Sequence, residues 1–264
     1  MTKAAKDDGP ATERRRDGPT IGTAGWSIPR ALAGRFDGEG RHLERYARVL
    51  DGAEINTSFY RPHRVATYAR WSAETPPSFR FSVKLPREAT HVAKLRDTEA
   101  VLDRFVAEVA GLGGKLGVVL VQLPPSLAFE AASAAAFFAA LRDRHAEAVV
   151  CEPRHATWFS ADADRALIAH RIGRVAADPA GSDAAARPGG WLGTGAVRYF
   201  RWHGSPRTYW SAYGDEWLMS QVRVVRAAQA DGDVWCIFDN TASGAALADA
   251  LRYRSMLTTS PDAA

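Results

Sequence analysis

The chain has 264 residues, which fits one domain of the size of a parallel barrel, for which roughly 250 residues are typical. Its 34 basic and 30 acidic residues give a net charge of +4, and 46% of all residues are hydrophobic, as in an ordinary globular protein. No run of about 18 apolar residues occurs, which excludes a membrane-spanning helix.

The N-terminal residues and the two cysteines indicate in which cellular compartment we expect the protein. Residues 1–19 lack the apolar segment of a secretory signal peptide, so we expect a cytoplasmic location without membrane contact. Cys151 and Cys236 lie in apolar runs, which predicts buried, reduced thiols. Acidic neighbours offset the basic cluster at 14–16. We predict a disordered N-terminal tail over 1–18, one barrel domain over 19–258 and a C-terminal tail over 259–264.

Eight apolar runs follow one another along the chain. They cover residues 21–27, 53–59, 80–86, 116–124, 148–154, 174–179, 197–204 and 234–240. Amphipathic or alanine-rich segments that predict helices follow seven of these runs, at 43–50, 65–72, 101–109, 131–142, 162–171 and 216–230, with 245–251 after the last run. Strands that alternate with helices indicate a parallel sheet, and eight such units predict an α/β protein with a single TIM-type (β/α)8 barrel.

The connection between the sixth and seventh runs is irregular. Residues 180–196 are rich in Ala, Gly and Pro and show no long helical stripe. We therefore expect a loop with at most one short turn. A loop of this kind is either a lid over a ligand site or a slack connection.

Common cofactor and nucleophile motifs are missing from the chain. The segment 22–25 lacks the third glycine of a dinucleotide fingerprint, and the glycines at 113–114 precede a strand rather than a helix. No G-x-S-x-G, H-E-x-x-H or C-x-x-C sequence is present. The sequence therefore indicates no cofactor, with a divalent metal as the alternative.

Several long motifs in one order resemble a known family. They include Ile-Gly-Thr-Ala-Gly-Trp (21–26), Glu-Ile-Asn-Thr-Ser-Phe-Tyr-Arg (54–61), Phe-Ser-Val-Lys-Leu-Pro (81–86), Thr-His (90–91), Val-Gln-Leu-Pro-Pro-Ser (121–126), Cys-Glu-Pro-Arg-His (151–155), Asp-Pro (178–179), Tyr-Phe-Arg-Trp-His-Gly-Ser-Pro (199–206) and Phe-Asp-Asn-Thr (238–241). The chain is similar over residues 21–252 to domain of unknown function 72, the YecE-like proteins. The resemblance implies a TIM-type barrel and no settled activity, and the inserted-looking loop 180–196 departs from it.

Polar residues stand at the ends of the second and third runs. Glu54 and Asn56 are two residues apart, so their side chains leave the same face of a strand. Inside the barrel, they either bind a ligand or cap the core through hydrogen bonds. Lys84 ends the next run. A Glu54–Lys84 ion pair is the structural alternative to a lysine that holds an anion.

The fifth run ends in the strongest single segment, Glu152-Pro-Arg-His. Arg154 suits bidentate recognition of phosphate or carboxylate, and His155 is a candidate general acid or base. The structural alternative is a network that orients the next loop. Glu54 and Glu152 are also candidates for the two carboxylic acids of a retaining glycosidase.

The last two runs supply a second group of candidates. Arg201 and His203 share a face, and a loop with Arg207 and several aromatic residues follows, which suits stacking on a sugar or a base. Asp239 binds substrate or holds His203 in one tautomer. Gln122 and Asn240 complete the candidate ligand-binding residues.

These residues support three classes of function. We favour an enzyme that uses acid–base chemistry on a polar, anionic or sugar-like small molecule at the carboxyl-terminal rim of the barrel. The candidate proton-transfer residues are Glu54, Glu152, His155, His203 and Asp239, and the candidate ligand-binding residues are Asn56, Lys84, Gln122, Arg154, Arg201, Arg207 and Asn240.

The second class is a metal-dependent phosphodiesterase or isomerase of the endonuclease-IV or xylose-isomerase type. Its candidate ligands for a divalent ion are His91, Glu152, Asp178, His203 and Asp239. Three cationic groups on the same rim argue against a dense metal cluster. The third class is a non-enzymatic protein that binds a nucleotide or nucleic acid, to which the basic pI near 9.2 lends slight support.

Overall fold

Eight parallel strands form the barrel, and each arises from one of the predicted apolar runs. The computed structural model describes residues 18–259. The strands are β1 (Thr20–Ala24), β2 (Gly52–Ile55), β3 (Arg80–Lys84), β4 (Leu116–Gln122), β5 (Val149–Glu152), β6 (Gly173–Arg174), β7 (Ala176–Asp178), β8 (Gly189–Gly190), β9 (Val197–Trp202) and β10 (Asp233–Phe238). β6 and β7 are two parts of the sixth barrel strand, interrupted at Val175, and β8 is a two-residue antiparallel addition. The predicted fold class is confirmed.

The sheet is nearly closed. Its order is β7-β9-β10-β1-β2-β3-β4-β5-β6-β8, so the sixth barrel strand pairs with β5 through its first half and with β9 through its second half. The helices are α1 (His42–Ala47), α2 (Val65–Ala73), α3 (Glu99–Val109), α4 (Ala131–Arg144), α5 (Ala161–Ala169), α6 (Asp215–Gln229) and α7 (Ala245–Thr259). Among residues 18–259, no helix combines the length and apolar character that crossing a membrane requires.

The barrel interior changes from apolar to polar along the strands. The lower part of the interior, towards the amino ends of the strands, is filled by a cluster of apolar and aromatic residues. They are Val118, Leu120, Val150, Val175, Val197, Tyr199, Trp235 and Ile237. Trp235 stacks on Tyr199 with 6.0 Å between ring centroids. A Cβ atom at Gly117 would lie 2.5 Å from the Trp235 ring, so a glycine is needed there. Because side chains alternate along a strand, the next inward positions carry the polar residues Gln122, Glu152, Arg201 and Asp239.

A larger apolar core surrounds the barrel on its outside. Trp202 shows how it is built, because its ring packs edge-on against Phe238, Tyr253 and Trp217, which come from β10, α7 and α6. Both cysteines are buried and free, as predicted. The polar cluster of the interior is therefore surrounded by the outer apolar core and borders the inner apolar cluster at its lower end.

The sixth crossover contains no helix, as predicted. Its residues make a turn near 183–186, and β8 then pairs with β6 at the beginning of the sixth barrel strand. Ala177 also donates its backbone N–H to Ala185. The loop thus follows the sixth strand and replaces a crossover helix, which fits a structural connection better than a lid.

The two predicted tails lie almost wholly outside the described residues. The candidate basic cluster at 14–16 belongs to that part of the chain. At the other end, α7 continues to Thr259, one residue beyond the expected end of the barrel domain.

Candidate active site at the carboxyl end of the barrel

The polar cluster is built around the guanidinium group of Arg201. This side chain points inward from β9 and is completely buried. Its Nε and Nη2 atoms donate to the two carboxylate oxygens of Glu54 at 2.9 and 2.7 Å. Nη1 donates to Glu152 at 2.8 Å and to Gln122 at 3.2 Å, and Nη2 lies 2.9 Å from Asp239 Oδ2. One guanidinium group therefore holds three carboxylates from three strands.

Mutual attraction keeps these groups charged despite their burial. Burial alone would raise the pKa of Glu152, but the charges of Arg201 and Arg154 and the contact with His203 bring it well below its usual value. Burial opposes ionisation of Asp239 too, yet Arg201 and His203 lower its pKa. Burial acts against the charge of Arg201, and its three carboxylates raise its pKa well above the usual value. Glu152, Asp239 and Arg201 are therefore charged in spite of their burial.

His203 lies next to this network and is also completely buried. Its Nδ1 atom is 3.1 Å from Asp239 Oδ2, and its Nε2 atom is 2.9 Å from Glu152 Oε1. The contact with Asp239 agrees with the second of the two roles considered for that carboxylate, in which it holds His203. Tyr209 covers the imidazole, with its ring edge-on at 5.2 Å between centroids. The φ angle of Tyr209 is +66°, a costly backbone conformation for an aromatic residue.

Arg154 forms the outer edge of the network. Its Nη2 atom is 2.6 Å from Glu152 Oε1 and 3.0 Å from His203 Nε2. Its side chain is 23% exposed, while its Nε atom is buried without a hydrogen-bond partner among the described residues. Arg154 therefore has both a route to solvent and an unused donor.

Lys84 lies in the mouth of the barrel, where β3 ends. It is only 6% exposed, and its Nζ atom lies 4.1 Å from the centre of the Phe59 ring. Within residues 18–259, no hydrogen bond or ion pair to this ammonium group is found. Burial, followed by the charge of Arg201, lowers its pKa to about 8. The suggested Glu54–Lys84 ion pair is wrong, because Glu54 binds both arms of Arg201 instead.

Asn56 and a group of aromatic residues surround the mouth. The Asn56 Nδ2 atom donates weakly to Asp239 at 3.5 Å, while Oδ1 is buried without a partner among the described residues. Tyr60, Tyr209 and Trp210, which follow β2 and β9, are 71%, 40% and 46% exposed. Asn56, which directly follows β2, thus has an unused acceptor, and exposed aromatic rings lie in the loops after β2 and β9.

Four of the predicted ligand or proton-transfer residues have other surroundings. His155 caps its own turn through Thr157. Asn240 donates to Asp249 and to the backbone of Ser211, and so fixes the loop after β9 to α7. The Arg207 guanidinium lies 4.5 Å from the Trp210 ring at the surface. Arg201 itself has no exposed surface, so the predicted role in holding a ligand anion does not fit its position.

The alternative metal ligands are not brought together. Asp178 accepts a hydrogen bond from the Tyr213 hydroxyl at 2.7 Å. His91 packs edge-on against Phe59. Guanidinium nitrogens lie between the remaining acids, and no group of three or more His, Cys, Asp or Glu residues in the described chain has the geometry of a metal site.

Tyr199 and Ser82 belong to the site and were missed. The Tyr199 hydroxyl donates to Glu54 at 3.0 Å and lies 2.9 Å from Ser82 Oγ. Burial, followed by the charge of Glu54, raises the Tyr199 pKa well above its usual value, so the phenol stays protonated. Their positions in the sequence could have indicated this. Tyr199 and Arg201 are two residues apart, as are Ser82 and Lys84, so each pair leaves the same face of its strand.

The fold and the position of the polar cluster define a TIM-type barrel protein with a candidate site at the carboxyl ends of its strands. Residues 20–264 match the family described as "Protein of unknown function DUF72", and the chain belongs to this family. The resemblance inferred from its motifs is confirmed.

Relatives and solved structures agree with this assignment. Over 104 residues, or 39% of the chain, the sequence is 31% identical to UPF0759 protein YecE of Escherichia coli (strain K12), and this match covers 37% of that relative's length. A DUF72 family protein from Enterococcus faecalis V583 matches with a TM-score of 0.75 and 19% identity, covering 92% of this chain and 96% of that one. Another, from Thermotoga maritima MSB8, matches with a TM-score of 0.73 and 23% identity, covering 91% and 99%. These structural likenesses show the fold.

Proposed function

We propose that the protein is an enzyme that uses acid–base chemistry on a polar, anionic or sugar-like small molecule bound at the carboxyl-terminal rim of the barrel. The observation that carries this proposal is that His203 has hydrogen-bond partners both as a charged and as a neutral ring. As an imidazolium, it donates to Asp239 and Glu152. As a neutral ring protonated at Nδ1, it donates to Asp239 and accepts from Arg154 at Nε2. Both proton states are hydrogen-bonded, which is what a general acid–base group requires.

The remaining groups of the mouth suit an anionic ligand. Arg154 has a free donor at Nε, and the ammonium group of Lys84 has no hydrogen-bond acceptor among the described residues. Unpaired polar atoms in buried positions carry a desolvation penalty that a ligand can relieve. Asn56 Oδ1 offers an acceptor for a hydroxyl group, and the exposed rings of Tyr60 and Tyr209 offer stacking surfaces for a sugar.

The competing reaction classes fit these residues less well. A retaining glycosidase needs one carboxylic acid that stays protonated, whereas the pKa of Glu152 is held well below its usual value by Arg201 and Arg154 against the effect of burial. A metal-dependent reaction needs open carboxylate ligands. Here Arg201 engages Glu54, Glu152 and Asp239 together.

The first experiment measures anion binding. Inorganic phosphate and a panel of sugar phosphates are titrated into the purified protein, with thermal unfolding and calorimetry as readouts. Arg154→Gln should weaken phosphate binding by about tenfold or more, because a charge-assisted hydrogen bond contributes about 1.5–3 kcal/mol. Arg223→Gln, on the exposed face of α6, is the matched control and should leave affinity unchanged.

The second experiment separates an enzyme from a binding protein. Ligands found in the first screen are incubated with the protein, and their conversion is followed by mass spectrometry and NMR. His203→Gln keeps a polar side chain but cannot exchange protons, so it should still bind and lose turnover, while His170→Gln, directly after α5, should behave as wild type. Turnover that survives in His203→Gln would refute the assigned role. Binding without turnover in wild type would instead support a non-enzymatic protein.

A further inference from the structure

Lys84 is chemically different from every other cation of the site. The chain contains 29 arginines and five lysines, and Lys84 is the lysine that lies in the mouth of the barrel. Arg201 and Arg154 hold charge but cannot supply a neutral amine. An amine can lose its proton and then attack carbon. The residue type at this position therefore allows covalent chemistry that an arginine would not.

The surroundings of Lys84 are those of an activated amine. The Nζ atom lies 4.1 Å from the centre of the Phe59 ring, without a hydrogen-bond acceptor in the described part of the chain. The positive charge of Arg201 disfavours a second cation, and together with burial it outweighs the carboxylates of Glu54, Glu152 and Asp239, which raise the pKa of Lys84. A lysine becomes a nucleophile when it is desolvated or placed beside another cationic group. Lys84 meets both conditions.

We propose that Lys84 forms a covalent imine with the carbonyl carbon of an aldehyde or ketone that carries an anionic group. This inference rests on the proposed function and deepens it, because it names anionic carbonyl compounds as the substrate class. Arg154 would take the anionic group, and Lys84 would take the carbonyl.

The step needs no oxidant or reductant. The lone pair of Nζ attacks the carbonyl carbon, a C–N bond forms, and the C=O electron pair moves to oxygen, which takes up a proton. The nitrogen loses a proton, and the hydroxyl group takes up a second proton and leaves as water as the C=N bond forms. The protonated imine then draws electrons from a neighbouring C–H or C–C bond. Enzymes that form lysine imines use this withdrawal of electrons for covalent catalysis.

The site also supplies a base beside the amine. His91 packs edge-on against Phe59, the ring that Lys84 contacts, with 4.9 Å between centroids. Burial, followed by the charges of Lys84 and Arg87, lowers the pKa of His91, which favours the neutral imidazole. A neutral imidazole near Lys84 can accept the proton that the amine releases.

The reaction should depend on pH through the ionisation of Lys84. A pKa of about 8 leaves roughly a tenth of the molecules with a neutral amine at pH 7, against about 3 in 10,000 for an ordinary lysine. The charged and titratable groups that act on Lys84 come from several elements of the barrel. They are Glu54, Glu152, Arg201, Asp239 and His91.

Reductive trapping tests the proposal on the full-length protein. Glycolaldehyde phosphate is added between pH 6 and 9, the mixture is quenched with sodium borohydride, and the labelled lysines are located by peptide mass spectrometry. We expect at least tenfold more label on Lys84 than on the exposed Lys94, a rise in labelling through about pH 8, and protection by inorganic phosphate. Lys84→Arg should lose this label, because a guanidinium group forms no imine, while Lys94→Arg should leave the labelling of Lys84 unchanged.

The outcomes distinguish this inference from the proposed function. If phosphate stabilises the wild-type protein but Lys84 carries no more label than Lys94, the imine is refuted and the anion site stands. If phosphate has no effect and no lysine is labelled selectively, both proposals fail. The mapping on wild type decides the matter even if Lys84→Arg does not fold.

Discussion

Replacing Lys84 by methionine should make the protein more stable at neutral pH. In the folded chain, burial and Arg201 lower the pKa of this lysine from 10.5 to about 8. One pKa unit corresponds to about 1.4 kcal/mol, so keeping Lys84 protonated at pH 7 costs about 3 kcal/mol relative to the unfolded chain. Methionine has a similar length and no charge. The loss of the contact with Phe59 offsets about 0.5–2 kcal/mol of the gain.

The pH dependence of this stability difference shows whether the lowered pKa of Lys84 is its cause. Between pH 8 and 10.5 the folded protein releases the Lys84 proton before the unfolded chain does, so the unfolded state binds more protons and wild-type stability rises with pH. The advantage of Lys84→Met should therefore be largest at pH 7 and shrink as the pH approaches 10. The pKa values of His91 and Asp239, which Lys84 also lowers, start from 6.5 and 3.8 and so lie below this pH range.

Urea unfolding at pH 7, 8.5 and 10 measures this difference. Lys94→Met is the control, and as an exposed substitution it should change stability by no more than about 0.5 kcal/mol. If Lys84→Met is instead less stable than wild type at pH 7, or if the difference does not vary with pH, then the ammonium group stabilises the fold and the reasoning is refuted. A stabilised variant that no longer binds phosphate would show that the lysine is retained for function.

The ionised network leads to three further predictions. Arg201→Met should destabilise the protein by about 3–5 kcal/mol in urea unfolding, because it leaves buried carboxylates without their cation; a loss below about 1 kcal/mol would contradict the network. Tyr199→Phe removes the hydroxyl that donates to Glu54 and should cost about 1–2 kcal/mol, while a neutral result would mean that this bond adds nothing. The lowered pKa of Glu152 stabilises the fold above its ordinary pKa of 4.5, and this stability is lost as the pH falls below that value. Glu152→Gln should therefore show a weaker loss of stability below about pH 4 than wild type, and identical acid profiles would refute the assignment.

The location of the site could be predicted because it follows from strand polarity. In a parallel barrel all strands end on the same rim, so polar residues after apolar runs must meet there. The alternation of side chains would have sharpened this prediction. Asp239 shares the inward face with Trp235 and Ile237, whereas Asn240 stands at the opposite parity and contacts α7 instead. Counting parity from the apolar interior would have removed Asn240 from the candidates.

The pairing within the site could not be predicted in the same way. Glu54 and Lys84 lie on adjacent strands, which made an ion pair between them plausible, but Glu54 binds Arg201 from β9, three strands away on the other side. Contacts across the interior depend on barrel closure and stagger, which the sequence pattern does not encode. Side-chain length also matters, because only the guanidinium of Arg201 reaches three carboxylates at once.

The charged groups of the site fall into two sets, those that form the ion pairs of the network and those that form none. Three carboxylates, of Glu54, Glu152 and Asp239, face the two guanidinium groups of Arg201 and Arg154, and the network then lacks one positive charge. The ammonium group of Lys84 is close enough to supply part of it, since Glu54, Glu152 and Asp239 raise the pKa of Lys84, but burial and Arg201 lower that pKa further. A purely structural cluster would hold its missing cation in an ion pair, since an unpaired buried cation costs free energy. Lys84 makes no such pair within residues 18–259, and for that reason its replacement by methionine is expected to stabilise the fold at neutral pH.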